Sequence, residues 1–254
     1  GTNDLAVILQ SNPGAALKVN GDVANFPVEL LDQIAFIRNP QLSGLLTETL
    51  GNDLNLKIDQ KSTSNGLAFN VRANSPTLSA NADVLIDKEI TLANPAEISL
   101  KVLPAVAEKL MRLSNIKSPW HLGSPATAKI IVTSLQLPFS ARQVTDQIDL
   151  NSLGLKATLD FGQANFIGDG ANNSLTLQGF HATIAMESNS EMAAITVSSQ
   201  AAHNDQPTKI DFDLSVPKKA LLQNMKGVAL KDISVNGSVA GAPLFLLDEF
   251  SEGG

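Results

Sequence analysis

Apolar residues recur at every second position through most of this chain. The pattern runs Leu54, Leu56, Ile58, then Leu67, Phe69, Val71, then Leu78, Ala80, Ala82, Val84, Ile86, then Ile98, Leu100, Val102. It resumes at Ala126, Ala128, Ile130, Val132, at Leu155, Ala157, Leu159, Phe161, and at Leu175, Leu177. It continues at Ala182, Ile184, Met186, at Ala193, Ile195, Val197, and at Ile210, Phe212, Leu214. A period of two puts alternate side chains on opposite faces, so each segment predicts a strand with one apolar and one wet face. Turn-rich stretches at 167–173 and 203–207 separate some of them, which predicts an antiparallel meander.

Helical spacing appears in four places. Residues 28–36 predict a helix with Leu30, Leu31 and Ile34 as its buried stripe, and 42–50 a second one with Gly51 as its C-cap. Pro104 opens a third, in which Val106, Ala107, Leu110, Met111 and Leu113 fall three and four apart, and it should lie across a sheet. Pro217 starts a short fourth through Leu221, Leu222 and Met225 until Gly227. The expected fold is mainly β, of α+β class. It is a large, antiparallel, strongly twisted or bent sheet with a few short helices packed on its apolar face. Residues 1–114 form a first half with helices and strands, 115–125 a loop, 126–232 an antiparallel β half, and 233–254 the start of a second repeat unit.

That repeat is the most specific signal in the sequence. Leu17 to Asp32 aligns without a gap to Ile233 to Asp248 at an offset of 216 residues, with nine of sixteen positions identical. A period of this length marks tandem domains or large modules rather than an ordinary solenoid. The competing reading is two similar strand-turn-helix pieces inside one closed domain. Within the motif, Leu17, Val19 and Val23 share a strand face, Gly21 marks an expected bulge or close approach, and Pro27 ends the strand. A chain that opens and closes inside one motif reads as a fragment of a longer protein.

The composition narrows the chemistry. The 254 residues are 43% hydrophobic and 17% charged, with one Trp, no Tyr and no Cys. Leu, Val, Ile and Ala must therefore build the core, and thiol chemistry is excluded. A net charge of -7 with no basic cluster beyond Lys218-Lys219 argues against nucleic acid. No apolar run reaches the roughly 20 residues that span a bilayer. The histidines at 121, 181 and 203 lack metal-ligand spacing, so no metal or other cofactor is expected. Asp160-Phe161-Gly162 matches a kinase motif in letters alone and reads as a strand ending at a turn glycine. The segment around Asp169-Gly170 lacks the ligand spacing of a calcium loop. No nucleophile elbow or phosphate loop occurs, so no catalytic residue is assigned and the chain is expected not to be an enzyme.

About a dozen one-sided strands leave an apolar face that must be covered by a second sheet, by the helices, or by something brought from outside such as acyl chains. The run Val19-Asn20-Gly21-Asp22-Val23-Ala24-Asn25-Phe26-Pro27 with Leu30-Leu31-Asp32, followed by Leu42-Ser43-Gly44-Leu45-Leu46 and Leu50-Gly51-Asn52-Asp53-Leu54-Asn55-Leu56, resembles AsmA-like repeat proteins of bacterial envelopes. That resemblance implies a membrane-tethered periplasmic protein of the bridge-like lipid transfer type, whose bent sheet carries an apolar groove. Its partner would be phospholipid or another envelope lipid, and its membrane association would come from segments outside this sequence. Candidates to line the groove are Leu67, Phe69, Val71, Leu155, Leu159, Phe161, Ile210, Phe212 and Leu214. The helices depart from a continuous groove and favour compact modules in series. A lipid-handling or outer-membrane assembly module is therefore the first functional reading, and a structural or adhesive spacer with a dry core the second.

Overall fold

A computed structural model describes residues 20–38, 40–62, 67–87, 89–113, 118–138, 152–168, 174–203, 206–222 and 232–241. The ends of the repeated segment (17–19 and 242–248), the turn at 169–173 and the helix continuation to Gly227 lie outside them. Among the described residues thirteen strands form one antiparallel sheet. They are β1 (Asn20–Pro27), β2 (Asp53–Ser62), β3 (Leu67–Asn74), β4 (Leu78–Ile86), β5 (Glu89–Leu92), β6 (Ala96–Val102), β7 (Trp120–Leu122), β8 (Ala126–Pro138), β9 (Gly154–Gly168), β10 (Ser174–Met186), β11 (Met192–His203), β12 (Gln206–Pro217) and β13 (Ser234–Ala240).

The order is that of the chain, with two interrupted strands. β5 and β6 both lie between β4 and β8, and β7 and β8 both pair with β9. Each interruption holds a proline, Pro95 or Pro125, which has no N–H to give a ladder. Neighbouring amides compensate, with Ala93 N–H donating to Asp83 O at 2.9 Å and Gly123 N–H to Asn165 O at 2.8 Å. The stretch 115–125, read as a loop, thus carries the short strand β7. Because β6 pairs with β8, the sheet runs on across it.

Among the described residues four α-helices sit at strand ends: α1 (Val28–Arg38), α2 (Leu45–Leu50), α3 (Pro104–Leu113) and α4 (Lys218–Leu222). Pro27 closes β1 and α1 starts at the next residue, where Val28 is fully buried. The expected buried stripe of α1 fails at two of its three residues, Leu31 alone being half-buried. Leu30 and Ile34 are 46% and 60% exposed, and Ile37, one turn on, is 79% exposed. The helix docks through its other side, by Val28 and the buried Asp32. The Asp32 carboxylate accepts the Leu46 and Thr47 amides, each at 2.8 Å, and the Thr47 hydroxyl. These amides open α2, whose own N-cap, Gly44, has no side chain to offer. Burial pushes the Asp32 carboxyl up, but the Thr47 and Leu46 hydrogen bonds and the Lys109 charge outweigh it and hold it below the usual carboxylate range. Asp32→Ala should cost about 2 kcal/mol of stability, read as a lower urea midpoint at constant slope.

The Gly21 expectation also needs correction. Gly21 pairs regularly with Ile58, and the irregularity falls between Val23 and Phe26, where Asn25 has φ 53. Asn tolerates this left-handed conformation, and the Asn55 side chain accepts the Asn25 amide at 2.9 Å. The stop expected at Gly162 does not occur either, since β9 continues to Gly168.

Candidate apolar binding face

Cross-strand partners share a face, so the registers trace one row of side chains across the whole sheet. It runs Gly21, Ile58, Val71 and Ala82, steps to Ala80, and continues Ile98, Ile130, Leu159, Ala182, Val197, Phe212 and Gly237. The adjacent row on the reverse face reads Asp22, Lys57, Arg72, Asn81, Glu97, Ile131, Thr158, Thr183, Thr196, Asp213, Asn236. The two faces thus segregate from one edge of the sheet to the other, with Ile131 as the single apolar side chain in this reverse row.

No second sheet among the described residues lies over the apolar face. Among the described residues, strands make substantial contact with other strands only as hydrogen-bonded neighbours, and β1 and β13 remain the two edges. From Ile58 to Phe212 every side chain of the apolar row is half-buried and none is buried. Single alanines such as Ala128 and Ala157 are buried along the strands, but clusters of buried apolar residues form at two strand ends. At one, Leu221 of α4 packs with Met186, Ala193 and Val216. At the other, Ala107 of α3 packs with Leu122, Ala126 and Ala164.

The second end holds a cavity of about 200 Å³ lined only by apolar residues: Val102, Ala107, Leu122, Ala126, Phe161, Ala164, Phe166, Leu177 and Phe180. Phe161 and Phe180 meet edge to face, with centroids 5.7 Å apart and planes at 73°. Their placement depends on paired irregularities. In β9 the face passes from Phe161 to Ala164 across exposed Gly162-Gln163, and in β10 from Leu177 to Phe180 across exposed Gln178-Gly179. Gly179 has φ +57, which glycine adopts without a Cβ penalty. Both strands shift by one position together, so their own pairing survives and the slip appears against β11.

All nine groove candidates from the sequence lie on this face. Val71, Leu159 and Phe212 belong to the central row, while Phe69 and Leu67 stand opposite Val84 and Ile86. Leu155 faces Met186, Ile210 faces Val239, and Leu214 faces Val235. They are spread from β3 to β12 rather than gathered in one pocket, and of the nine only Phe161 lines the cavity. Sequence reasoning missed Ala107, Leu122, Ala164, Phe166 and Phe180. The Gly162-Gln163 and Gln178-Gly179 pairs were the available signal, because a glycine inside an alternating run marks a bulge.

The reverse face carries its own polar network. The Asp83 carboxylate accepts Lys61 Nζ at 2.6 Å, Asn94 Nδ2 at 2.9 Å and Asn70 Nδ2 at 3.1 Å. The Lys61 hydrogen bond above all, then those of Asn94 and Asn70, lower its pKa to about 2 from an ordinary 3.8. A depressed carboxylate stabilises the fold above its unfolded pKa, and that stability is lost as pH falls from 3.8 toward 2. Asp83→Asn should remove this acid-sensitive part, about 1–2 kcal/mol after screening at the exposed Lys61. Urea unfolding of both proteins at near-neutral and acidic pH will read it. Across β9 and β10, His181 Nδ1 lies 2.6 Å from Asp160 Oδ1. Among the described residues no group of three His, Asp or Glu side chains is placed to hold a metal ion, and no helix is long and apolar enough to cross a membrane.

No family model matches this chain, and neither a curated protein nor a solved structure does.

Proposed function

We propose that this chain is a non-catalytic lipid-binding module of a repetitive cell-envelope protein, working on the periplasmic side of a membrane in lipid transfer or outer-membrane assembly. The observation that carries the reading is the uncovered apolar row from Ile58 to Phe212, continuous across the sheet and half-exposed throughout. An apolar surface of this extent left open to water is a ligand or membrane surface rather than a core. An acyl chain laid on it gains about 0.8 kcal/mol for each methylene taken from water. Half a dozen methylenes therefore contribute about 5 kcal/mol with no polar contact, which suits a site without convergent hydrogen-bond donors. The cavity beside α3 is smaller than the roughly 300–1,000 Å³ of pockets for drug-sized ligands, so it suits one end of a chain. The resemblance of the 19–32 and 42–56 segments to AsmA-like proteins supports the same reading.

The test is native mass spectrometry with lipid extraction on protein purified from a lipid-containing host. Phospholipid at a defined stoichiometry is the expected result. A lipid-free, monodisperse protein would remove the reading and favour the spacer.

A further inference from the structure

We infer that β1 and β13 are one and the same strand of successive units. The free edge of β1 is built to receive the β12 strand of a second unit of this sequence, and the free edge of β13 to receive its β2 strand. The inference is independent of lipid. It starts from the 216-residue repeat, whose two copies fall on the two opposite edge strands of the sheet. Five of the seven residues from Lys18 to Ala24 are identical to their counterparts in β13.

The registers agree. The apolar row that begins at Gly21 ends at Gly237, its equivalent in the repeat. Val23 and Val239 are likewise equivalent and lie on this same face, one opposite Leu56 and the other opposite Ile210. Each copy therefore displays one flank of the shared strand, β2 at the first copy and β12 at the second. Superposing the copies continues both the ladder and the apolar face.

The glycines supply a second, independent observation. At Gly237 a Cβ would lie 2.1 Å from the Phe212 ring and 2.8 Å from Asp211 O, so only glycine fits. At Gly21 nothing lies within 4 Å of the same position. Glycine in an uncrowded strand position weakens the strand for no local gain. The empty space over Gly21 has the place that the Phe212 ring takes over Gly237, and it is the socket for that ring from a second unit. Nor are these edges protected: β13 is exposed along its whole length, with Val235 59% and Val239 44% exposed, and Val23 on β1 is 43% exposed. β1 runs directly into α1, whose Leu30, Ile34 and Ile37 add uncovered apolar surface beyond this edge.

The first experiment is hydrogen exchange on a two-unit chain, residues 1–241 followed directly by 26–254, beside the single chain. In the single chain the outward amides of residues 234–240 exchange as free edge groups. In the two-unit chain the expected result is protection of all of them, with outward amides slowed at least about 100-fold, and one continuous unfolding transition. Outward amides that exchange equally in both proteins would overturn the inference. The second experiment adds a peptide of residues 206–217 to the intact single chain. Binding is expected, with at least about tenfold loss on Gly21→Val, which fills the socket without crowding the chain itself. A peptide that does not bind, or binds Gly21→Val equally well, counts against the shared strand even if the two-unit chain fails to fold.

Discussion

Leu159→Asp is expected to leave the sheet folded while abolishing the phospholipid retention proposed for the apolar face. Leu159 stands in the middle of the apolar row, between Ile130 of β8 and Ala182 of β10. It is half-buried in the protein alone, so a carboxylate there keeps water on its open side and costs the fold little. Once an acyl chain lies over it, that water is gone and no basic partner stands in the row. An unpaired charge pressed against hydrocarbon costs several kcal/mol, enough for roughly a 100-fold loss of affinity. Thermal unfolding and lipid extraction on the same preparation separate the two effects. A variant that unfolds would mean that Leu159 lies in a closed core. A folded variant with its full lipid content would mean that lipid is held elsewhere. Thr183→Asp on the reverse face is the control, and it should change neither quantity.

Lys218→Ala is expected to produce the largest loss of stability of any single substitution considered for this chain, about 3 kcal/mol. Lys218 opens α4 and is only 1% exposed, an unusual state for a lysine. Its ammonium donates to Leu153 O at 3.1 Å and to Glu187 O, tying the start of β9 and the end of β10 to the helix after β12. Its own amide donates to Glu191 O at 2.8 Å. Truncation removes a charged donor from two carbonyls and leaves the space of the side chain beside the cluster of Met186, Ala193 and Val216. In a chain of this length the melting temperature should fall by about 10 °C. Lys219, the exposed neighbour, should show almost no effect when changed to Ala.

These two residues also mark the limits of the sequence reading. Leu159 was legible, because it stands in the alternating run 155–161 and period two assigns it to the apolar face. Lys218 was not. In sequence it is one half of the Lys218-Lys219 pair, and nothing local says that two distant strand ends bring carbonyls to its amine. Asp32 is likewise, in the letters alone, a position shared with Asp248 of the repeat, with no sign that it caps α2, a helix that begins thirteen residues later. Its three donors all come from Leu46 and Thr47, so only the docking of two helices creates the interaction.

The sequence by itself determined most of the strands and their meander order, though not the short β5 and β7. Alternation and turn chemistry are local, and Pro27, Pro104 and Pro217 end strands or open helices by a backbone constraint that needs no distant partner. The 216-residue repeat was likewise complete in the letters. Only the tertiary structure decided that no second sheet among the described residues covers the apolar face, that Phe161 and Phe180 share one cavity with Ala164 and Leu177, and that the repeated segment forms both edges. Period two tells which side of a strand is apolar, but not what lies opposite, which depends on the path of strands far apart in the chain. A bulge such as Gly162-Gln163 shifts the phase by one, and in one dimension that shift is indistinguishable from the end of a strand. Its meaning appears once β9 and β10 are paired, because the matching bulge at Gln178-Gly179 keeps the two strands in register while turning both toward the same face.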